Sequence, residues 1–175
     1  MKKLILICSL LMILLTPCAF AQKTVTREKP LVAIDIGGSG GSYNGYSYSE
    51  LNLGLNLNFT EWFTWRNAAF KRFSSKTDND FTGLDSTLRL ISTTPFSEAT
   101  LQVFAGAGYR FASPAGKNAL IGEGGLGFNF GHFGLGLGGK YLKYDKTQLD
   151  STGLETKKDD VSYFVTFAIG TGLIF

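Results

Sequence analysis

The feature that most constrains this chain is a two-residue alternation of large apolar side chains with small or polar ones. It runs through nearly all of the sequence after residue 30. Successive side chains of a β-strand point to opposite faces, so the alternation predicts strands with one apolar and one small or polar face. No long segment has the 3.6-residue period of an amphipathic helix, so we expect an all-β domain. The pattern is clearest at the end of the chain, in Tyr163, Val165, Phe167, Ile169, Leu173 and Phe175.

Seven segments alternate plainly, and an eighth, about Trp62–Phe73, is less regular. In that segment Phe63 and Trp65 fall on one face and Phe70 on the other, which predicts a β-bulge near Arg66–Asn67. The connections alternate between long polar ones (38–44, 74–80, 112–117 and 145–160) and short ones (60–61, 93–97 and 131–132). Strands of roughly ten residues with this arrangement predict an eight-stranded, antiparallel, up-and-down transmembrane β-barrel.

The two faces of the predicted strands differ in bulk, which indicates how the barrel is oriented. A face rich in Gly, Asn and Thr fits the narrow interior of an eight-stranded barrel, whereas a Leu- and Phe-rich face fits lipid. The alternative is a soluble lipocalin-like barrel with its apolar face inward, which would need no detergent. Tyr43, Tyr46, Tyr48, Tyr109, Tyr141 and Tyr144 are predicted to mark the rim with the long loops. Aromatic residues near the short turns predict a periplasmic girdle of Phe59, Trp62, Phe63, Trp65, Phe128, Phe130 and Phe133.

Ionisable residues also fall on the predicted inner face, with four acidic and four basic side chains. An unpaired charge in a narrow lumen is costly, so we expect these groups to pair and to close the lumen rather than line a pore. Glu123 is predicted to meet both Arg110 and Lys140 across neighbouring strands. The predicted lumen network comprises Asp35, Glu50, Arg66, Asp85, Arg89, Arg110, Glu123 and Lys140.

The first 21 residues have the organisation of a secretory signal peptide. A basic start is followed by an apolar run, Leu4–Leu15, and then by the small cleavage-site residues Ala19 and Ala21. This divides the chain into a signal peptide, 1–21, and a barrel domain, 22–175. An uncleaved anchor and a lipoprotein processed at Cys18 are the alternatives. The run is short for a membrane-spanning helix, and Pro17 fits poorly before a lipidated cysteine.

Charge and motif content exclude several functions. The formal net charge is +3, and loss of the two lysines of the signal peptide lowers it further, so nothing indicates nucleic acid binding. Residues 134–140 match the glycine–lysine spacing of a phosphate loop, but Tyr141 stands where a metal-binding hydroxyl is required. The single histidine, His132, cannot form a histidine metal cluster and is expected in a turn. We therefore predict no cofactor, no metal site and no catalytic residues.

The signal peptide, the eight alternating segments and the terminal run 163–175 resemble the small outer-membrane barrels typified by OmpX and by the membrane domain of OmpA. The resemblance implies location in the bacterial outer membrane, with contacts to its lipids and to the export and barrel assembly machinery. It also implies that residues 163–175 act as the assembly signal and that surface loops meet an extracellular ligand. The expected role is structural or surface-interacting and non-enzymatic. A lipid-modifying enzyme and a narrow channel remain the alternatives.

Overall fold

A computed structural model describes residues 31–75, 80–96, 99–130, 133–147, 155 and 158–170. The predicted signal peptide with Ala19 and Ala21, the division at residue 21, His132, Leu173 and Phe175 lie outside these residues. A 3₁₀ helix, Ala115–Lys117, is the only helical element within them, and no described helix is long and apolar enough to cross a membrane. The strands are β1 (Val32–Tyr43), β2 (Tyr46–Asn58), β3 (Phe63–Ser74), β4 (Phe81–Phe96), β5 (Ala99–Ser113), β6 (Ala119–Phe130), β7 (Phe133–Tyr144) and β8 (Asp159–Gly170).

The eight strands form a closed antiparallel barrel in sequence order, which confirms the predicted fold class. Each strand pairs with its neighbours in the chain, and β8 returns to β1 with a register from Ala33 opposite Gly170 to Gly41 opposite Ser162. Closure pairs backbone groups that an open sheet would leave at its edges. A backbone satisfied in this way is a requirement for strands that cross a lipid bilayer.

The exterior of the barrel is apolar on every strand. Outward side chains such as Leu53, Leu88 and Phe167 are more than half exposed, and they are surrounded by others of the same kind. The inward positions carry glycine, hydroxyl, amide and charged side chains, as the alternation predicted, together with buried apolar ones such as Phe70, Ile121 and Leu142. An apolar surface that encircles the whole molecule is far larger than the patches that soluble monomers expose.

The structure corrects three local predictions. Residues 38–43 continue β1 instead of forming a loop, because the chain reverses in a two-residue turn at Asn44–Gly45. Residues 93–96 continue β4, so the turn before β5 lies later than predicted. The bulge near Arg66–Asn67 is also wrong, since β3 pairs in continuous register with both neighbours. In the first two cases polar or small residues inside a strand had been taken for a connection, and in the third the inward Phe70 had been taken for a change of face.

The Asn44–Gly45 turn generates a test. Both residues have positive φ, 53° and 81°, as the tight turns of β-hairpins require. Gly45→Ala should lower the free energy of unfolding by about 1 kcal/mol because alanine avoids this backbone region. Urea unfolding in detergent measures the effect. Gly122→Ala is the matched control, since an added Cβ meets nothing within 4 Å and the backbone is ordinary strand. Equal effects of the two substitutions would contradict the assignment.

Candidate functional site in the barrel interior

The eight residues predicted to form a lumen network all face the interior. Seven of them are buried, and the side chain of the eighth, Arg89, is 12 % exposed. Their separation along the chain is large, and barrel closure alone brings them together. The structure arranges them, with two further residues, into two clusters that lie at different levels of the lumen.

Glu50 of β2 is the centre of the first cluster. Its carboxylate lies 2.8 Å from Arg72 Nη2, 2.8 Å from Arg110 Nη1 and 3.5 Å from Lys140 Nζ. The Ser39 hydroxyl donates a fourth contact at 3.0 Å. Three cations around one carboxylate require further anions nearby, and the cluster supplies two of them.

Asp85 and Asp160 are those anions. Asp85 accepts hydrogen bonds from Arg110 Nε at 2.7 Å and from Lys140 Nζ at 2.8 Å. Asp160 lies 3.1 Å from Arg72 Nη2. We call this set the central cluster: Glu50, Arg72, Asp85, Arg110, Lys140 and Asp160. It contains three acidic and three basic groups, so its charges balance within a buried volume, as buried ions require.

Aromatic rings cover the arginines of the central cluster. The Arg72 guanidinium lies 3.6 Å from the centre of the Tyr48 ring, and that of Arg110 lies 3.9 Å from the Phe70 ring. Phe81 is within 4.7 Å of Arg72 and packs edge-on against Phe70. Planar, weakly hydrated guanidinium groups suit such stacking better than ammonium groups do. This packing explains why Phe70 points inward although its neighbours at the start of β3 suggested otherwise.

The second cluster, which we call the lower cluster, contains two separate ion pairs. Asp35 accepts from Arg66 Nε at 2.9 Å and Nη2 at 2.6 Å, and Asn56 donates to it at 2.6 Å. Glu123 accepts two hydrogen bonds from Arg89, at 2.7 and 3.0 Å. The expectation that Glu123 would meet Arg110 and Lys140 is therefore wrong.

The physical reason for the difference is side-chain length. Lys140 is directly opposite Glu123 in the β6–β7 register, but its long side chain reaches across the lumen to Asp85. Arg110 likewise reaches Glu50 on β2 from its position on β5. Adjacency in register therefore did not identify the partners, since arginine and lysine side chains extend beyond the neighbouring strand.

Glycines on the inner face make room for aromatic rings between the charges. A Cβ on Gly125 would lie 2.9 Å from the Phe104 ring, and one on Gly138 would lie 2.5 Å from the Phe164 ring. Phe104 in turn covers the guanidinium of Arg89 at 4.7 Å. Gly138 belongs to the segment 134–140 that formally matched a phosphate-loop spacing, so this glycine serves packing within the lumen.

Sequence reasoning missed Arg72 and Asp160. Asp160 had been assigned to a solvated loop, yet it is buried in β8 and accepts hydrogen bonds from Tyr48 and Tyr144 at 2.8 and 3.2 Å. Arg72 lay in the segment whose register was uncertain. The available signal was the unbroken alternation of β3, which places Arg72 on the same face as Arg66.

The tyrosines predicted for one rim divide between the two faces. Tyr43, Tyr48 and Tyr144 are buried inside, with the first and last rings 5.0 Å apart. Tyr141 faces outward, and Tyr46 is exposed at the first residue of β2. Lys117 of the 3₁₀ helix lies over the Tyr43 ring at 5.4 Å. Burial lowers the pKa of Lys117, and the positive charge of Arg72 lowers it further. These side chains cover the lumen between the central cluster and the end of the barrel with the long connections.

The residues of the predicted aromatic girdle lie around the opposite end, near the short turns. Phe59, Trp62, Phe130 and Phe133 are more than half exposed, while Phe63 and Phe128 are partly covered. The Trp65 indole nitrogen donates to the Ser86 hydroxyl at 2.9 Å on the outer surface, so both polar groups are satisfied there. Of the predicted assembly signal, Tyr163, Val165, Phe167 and Ile169 face outward on β8.

Among the described residues, no group of three or more His, Cys, Asp or Glu side chains is arranged to hold a metal ion. The acidic residues of the interior are instead in contact with arginine and lysine. The site is therefore suited to binding strands to one another across the lumen.

A solved structure of similar fold supports the assignment of an eight-stranded barrel. The chain is similar to the outer membrane enzyme PagL, with a TM-score of 0.56 and 15% identity over 78% of this chain and 99% of that one. A match to the KdgM porin has a TM-score of 0.27 and 10% identity over 79% of this chain and 99% of that one, too low to support any argument. No protein-family model matches the sequence. No curated protein matches it either.

Two adjacent aspartates provide a matched test of the interior network. Asp160 contacts Arg72, Tyr48 and Tyr144, whereas the exposed Asp159 accepts one hydrogen bond from Tyr141. Asp160→Asn should lower the free energy of unfolding by about 2–3 kcal/mol, since it weakens charge-assisted bonds in a buried site. Asp159→Asn should change it by less than about 0.5 kcal/mol. Unfolding followed by tryptophan fluorescence in detergent compares them, and a larger loss at Asp159 would refute the arrangement.

Proposed function

We propose that the protein is an integral barrel of the bacterial outer membrane, with a lumen closed by paired side chains and a structural or surface-interaction role without enzymatic activity. The observation that carries this proposal is the central cluster, whose buried ion pairs join strands on opposite sides of the barrel. The apolar exterior supports location in the membrane. The hydrogen bonds that fix the first and last residues of the long connections support the surface-interaction role.

The exterior of the barrel supports insertion into a membrane. Each strand presents large apolar side chains outward, and a girdle of aromatic residues lies near the short turns. Lipid covers such a surface, whereas water would leave it exposed at a cost of about 25 cal/mol for each Å². A strand-built membrane protein with long loops at one end is characteristic of outer membranes.

The span of the ion pairs supports a closed lumen. Arg110 connects β5 with Glu50 on β2, and Lys140 connects β7 with Asp85 on β4. Asp160 of β8 contacts Arg72 on β3 and Tyr48 on β2. A pore through this level requires several of these pairs to separate. Removal of one partner from a buried pair typically costs about 3–5 kcal/mol.

The bases of the long connections are fixed to the barrel, which suits loops that present a binding surface. The Asn118 side chain accepts from the Ala112 amide at 2.7 Å, and its backbone oxygen accepts from the Asp145 amide at 3.0 Å. The Tyr109 hydroxyl donates to the Asp145 carboxylate. Two connections, 114–118 and 145–158, thus begin from one joined base, and we assign contact with an extracellular ligand to this end.

Membrane fractionation tests the location. The protein should remain with outer-membrane fractions, require detergent for extraction, and migrate faster on a gel before heating than after it, because a folded barrel binds less detergent. The apolar exterior is the physical reason for the first two results, and the closed barrel is the reason for the third. Recovery of folded protein from the periplasmic extract without detergent would contradict membrane insertion and would favour the soluble barrel.

Planar-bilayer recordings test the closed lumen. The purified protein should show no steady, large conductance, and Arg110→Met should raise the frequency of openings because Glu50 and Asp85 lose one of their two shared partners and keep only Lys140. Lys71→Met is the control, since Lys71 lies on the exterior against Phe73. Steady conductance of the native protein would establish the channel instead.

An assay with lipopolysaccharide or phospholipid tests the enzyme alternative. Release of acyl chains that is lost in His132→Ala would establish the enzyme.

A further inference from the structure

Lys71 of β3 carries a positive charge on the outer surface of the barrel. It lies between the buried Phe70 and Arg72, so the alternation of the strand directs it outward, where it is exposed. Its amine lies 5.2 Å from the centre of the Phe73 ring, toward the end of β3 that leads into the long connection 74–80. Within the part of the chain that the structure describes, no salt bridge joins Lys71 to a carboxylate. An ammonium group on a lipid-facing surface is costly without an anion beside it.

Three exposed hydroxyl residues lie near Lys71 on the same outer surface. Thr82 is directly opposite Lys71 in the β3–β4 register, and Ser113 is directly opposite Thr82 on β5. Ser49 of β2 is opposite Phe73. Directly opposed residues of antiparallel strands have Cβ atoms about 5 Å apart, which is within the reach of a lysine side chain. We call Ser49, Lys71, Thr82 and Ser113 the outer donor patch.

The outer donor patch borders the apolar exterior. Leu51 is directly opposite Lys71 in the β2–β3 register, and Leu84 faces outward on β4; they are 57 % and 41 % exposed. On the side of the long connection, the Asp80 carboxylate accepts a hydrogen bond from the Ser74 amide at 2.6 Å, so this acid already has a backbone donor. Lipid chains that cover the two leucines therefore bring their headgroups to the patch.

The chemistry of the patch identifies the ligand. A lysine ammonium can only donate hydrogen bonds, and serine and threonine hydroxyls can donate as well. The ligand must therefore carry negative charge and several acceptor oxygens, as a phosphate group does. Because apolar side chains continue from the patch, a phosphate attached to acyl chains gains burial that free phosphate lacks.

We propose that the outer donor patch binds the phosphate headgroup of a membrane lipid, with the Lys71 amine and the Thr82 hydroxyl as the principal donors. The inference rests on the proposed insertion into the membrane and names one lipid contact of that surface. Lys143 of β7 is a second exposed lysine near the same end of the barrel, but Asp159 is directly opposite it in register. The two lysines thus differ in the carboxylate beside them, and the phosphate is assigned to Lys71.

Native mass spectrometry of the detergent-purified protein, titrated with phosphatidic acid, tests the site. Lys71→Met should bind this lipid about fivefold more weakly than the native protein, the effect expected of one lysine near an anionic lipid surface. Lys143→Met is the matched control and should bind as the native protein does. Diacylglycerol with the same acyl chains lacks the phosphate and should bind all three proteins equally. Equal affinity of Lys71→Met and the native protein for phosphatidic acid, or an equal loss in Lys143→Met or with diacylglycerol, would overturn the proposal.

A second pair of variants separates a headgroup site from general attraction of anions. Thr82→Val replaces the hydroxyl with a methyl group of the same shape and should weaken binding of phosphatidic acid by at least about twofold, whereas Thr82→Ser keeps the donor and should bind normally. Unchanged binding by Thr82→Val would overturn the site. Displacement of phosphatidic acid by an equal concentration of inorganic phosphate would overturn a lipid as the occupant.

Gel migration before and after heating distinguishes failure of this site from failure of the proposed membrane insertion. Every variant should keep the heat-dependent migration of a folded barrel and should remain with the outer-membrane fraction. Unchanged lipid binding by Lys71→Met in a barrel that behaves in this way contradicts the outer donor patch alone. A native protein that is recovered without detergent contradicts the insertion and the patch together.

Discussion

The rest of this structure depends on one constraint: charges enclosed in a narrow barrel must find partners within it. Closure of the sheet pairs the backbone along every strand and leaves two surfaces, one outside and one inside. The outside is largely apolar, and most charged side chains in the middle of the strands are directed into the lumen. There an unpaired ion would cost several kcal/mol, which makes mutual pairing the condition for folding at all.

That condition shapes the interior in detail. Glu50 is surrounded by three cations, and Asp85 and Asp160 restore the balance. Arginine serves better than lysine at the centre, because its planar group binds carboxylates through two nitrogens while its faces stack on Phe70, Tyr48 and Phe81. Glycines opposite Phe104 and Phe164 then fit bulky rings into a small lumen. Charge pairing and ring packing are therefore two parts of one interior.

The sequence predicted the barrel because a period of two is a local property that survives in the fold. It also predicted eight of the charges that face inward, since that follows from the same period, but not Arg72 and Asp160. The partners in the ion pairs were harder to predict from the sequence. Lys140, for example, reaches past Glu123, its neighbour in register, to Asp85. Strand ends were harder still, because nothing local distinguishes the exposed Asp159 from the buried Asp160. Residues 38–43 appeared loop-like because glycine and serine suit both turns and inward strand positions.

These constraints also limit where specific recognition can arise. The outer surface is committed to lipid under the proposed function, and the inner surface is occupied by ion pairs and rings. The fold shared with PagL at 15% identity therefore transfers no chemistry, because sites are carried by particular residues and not by the barrel. What remains available is the end with the long connections, where Asn118, Asp145 and Tyr109 hold two loop bases together. A rigid barrel gives such loops a fixed foundation, so their sequence can vary without loss of the interior network.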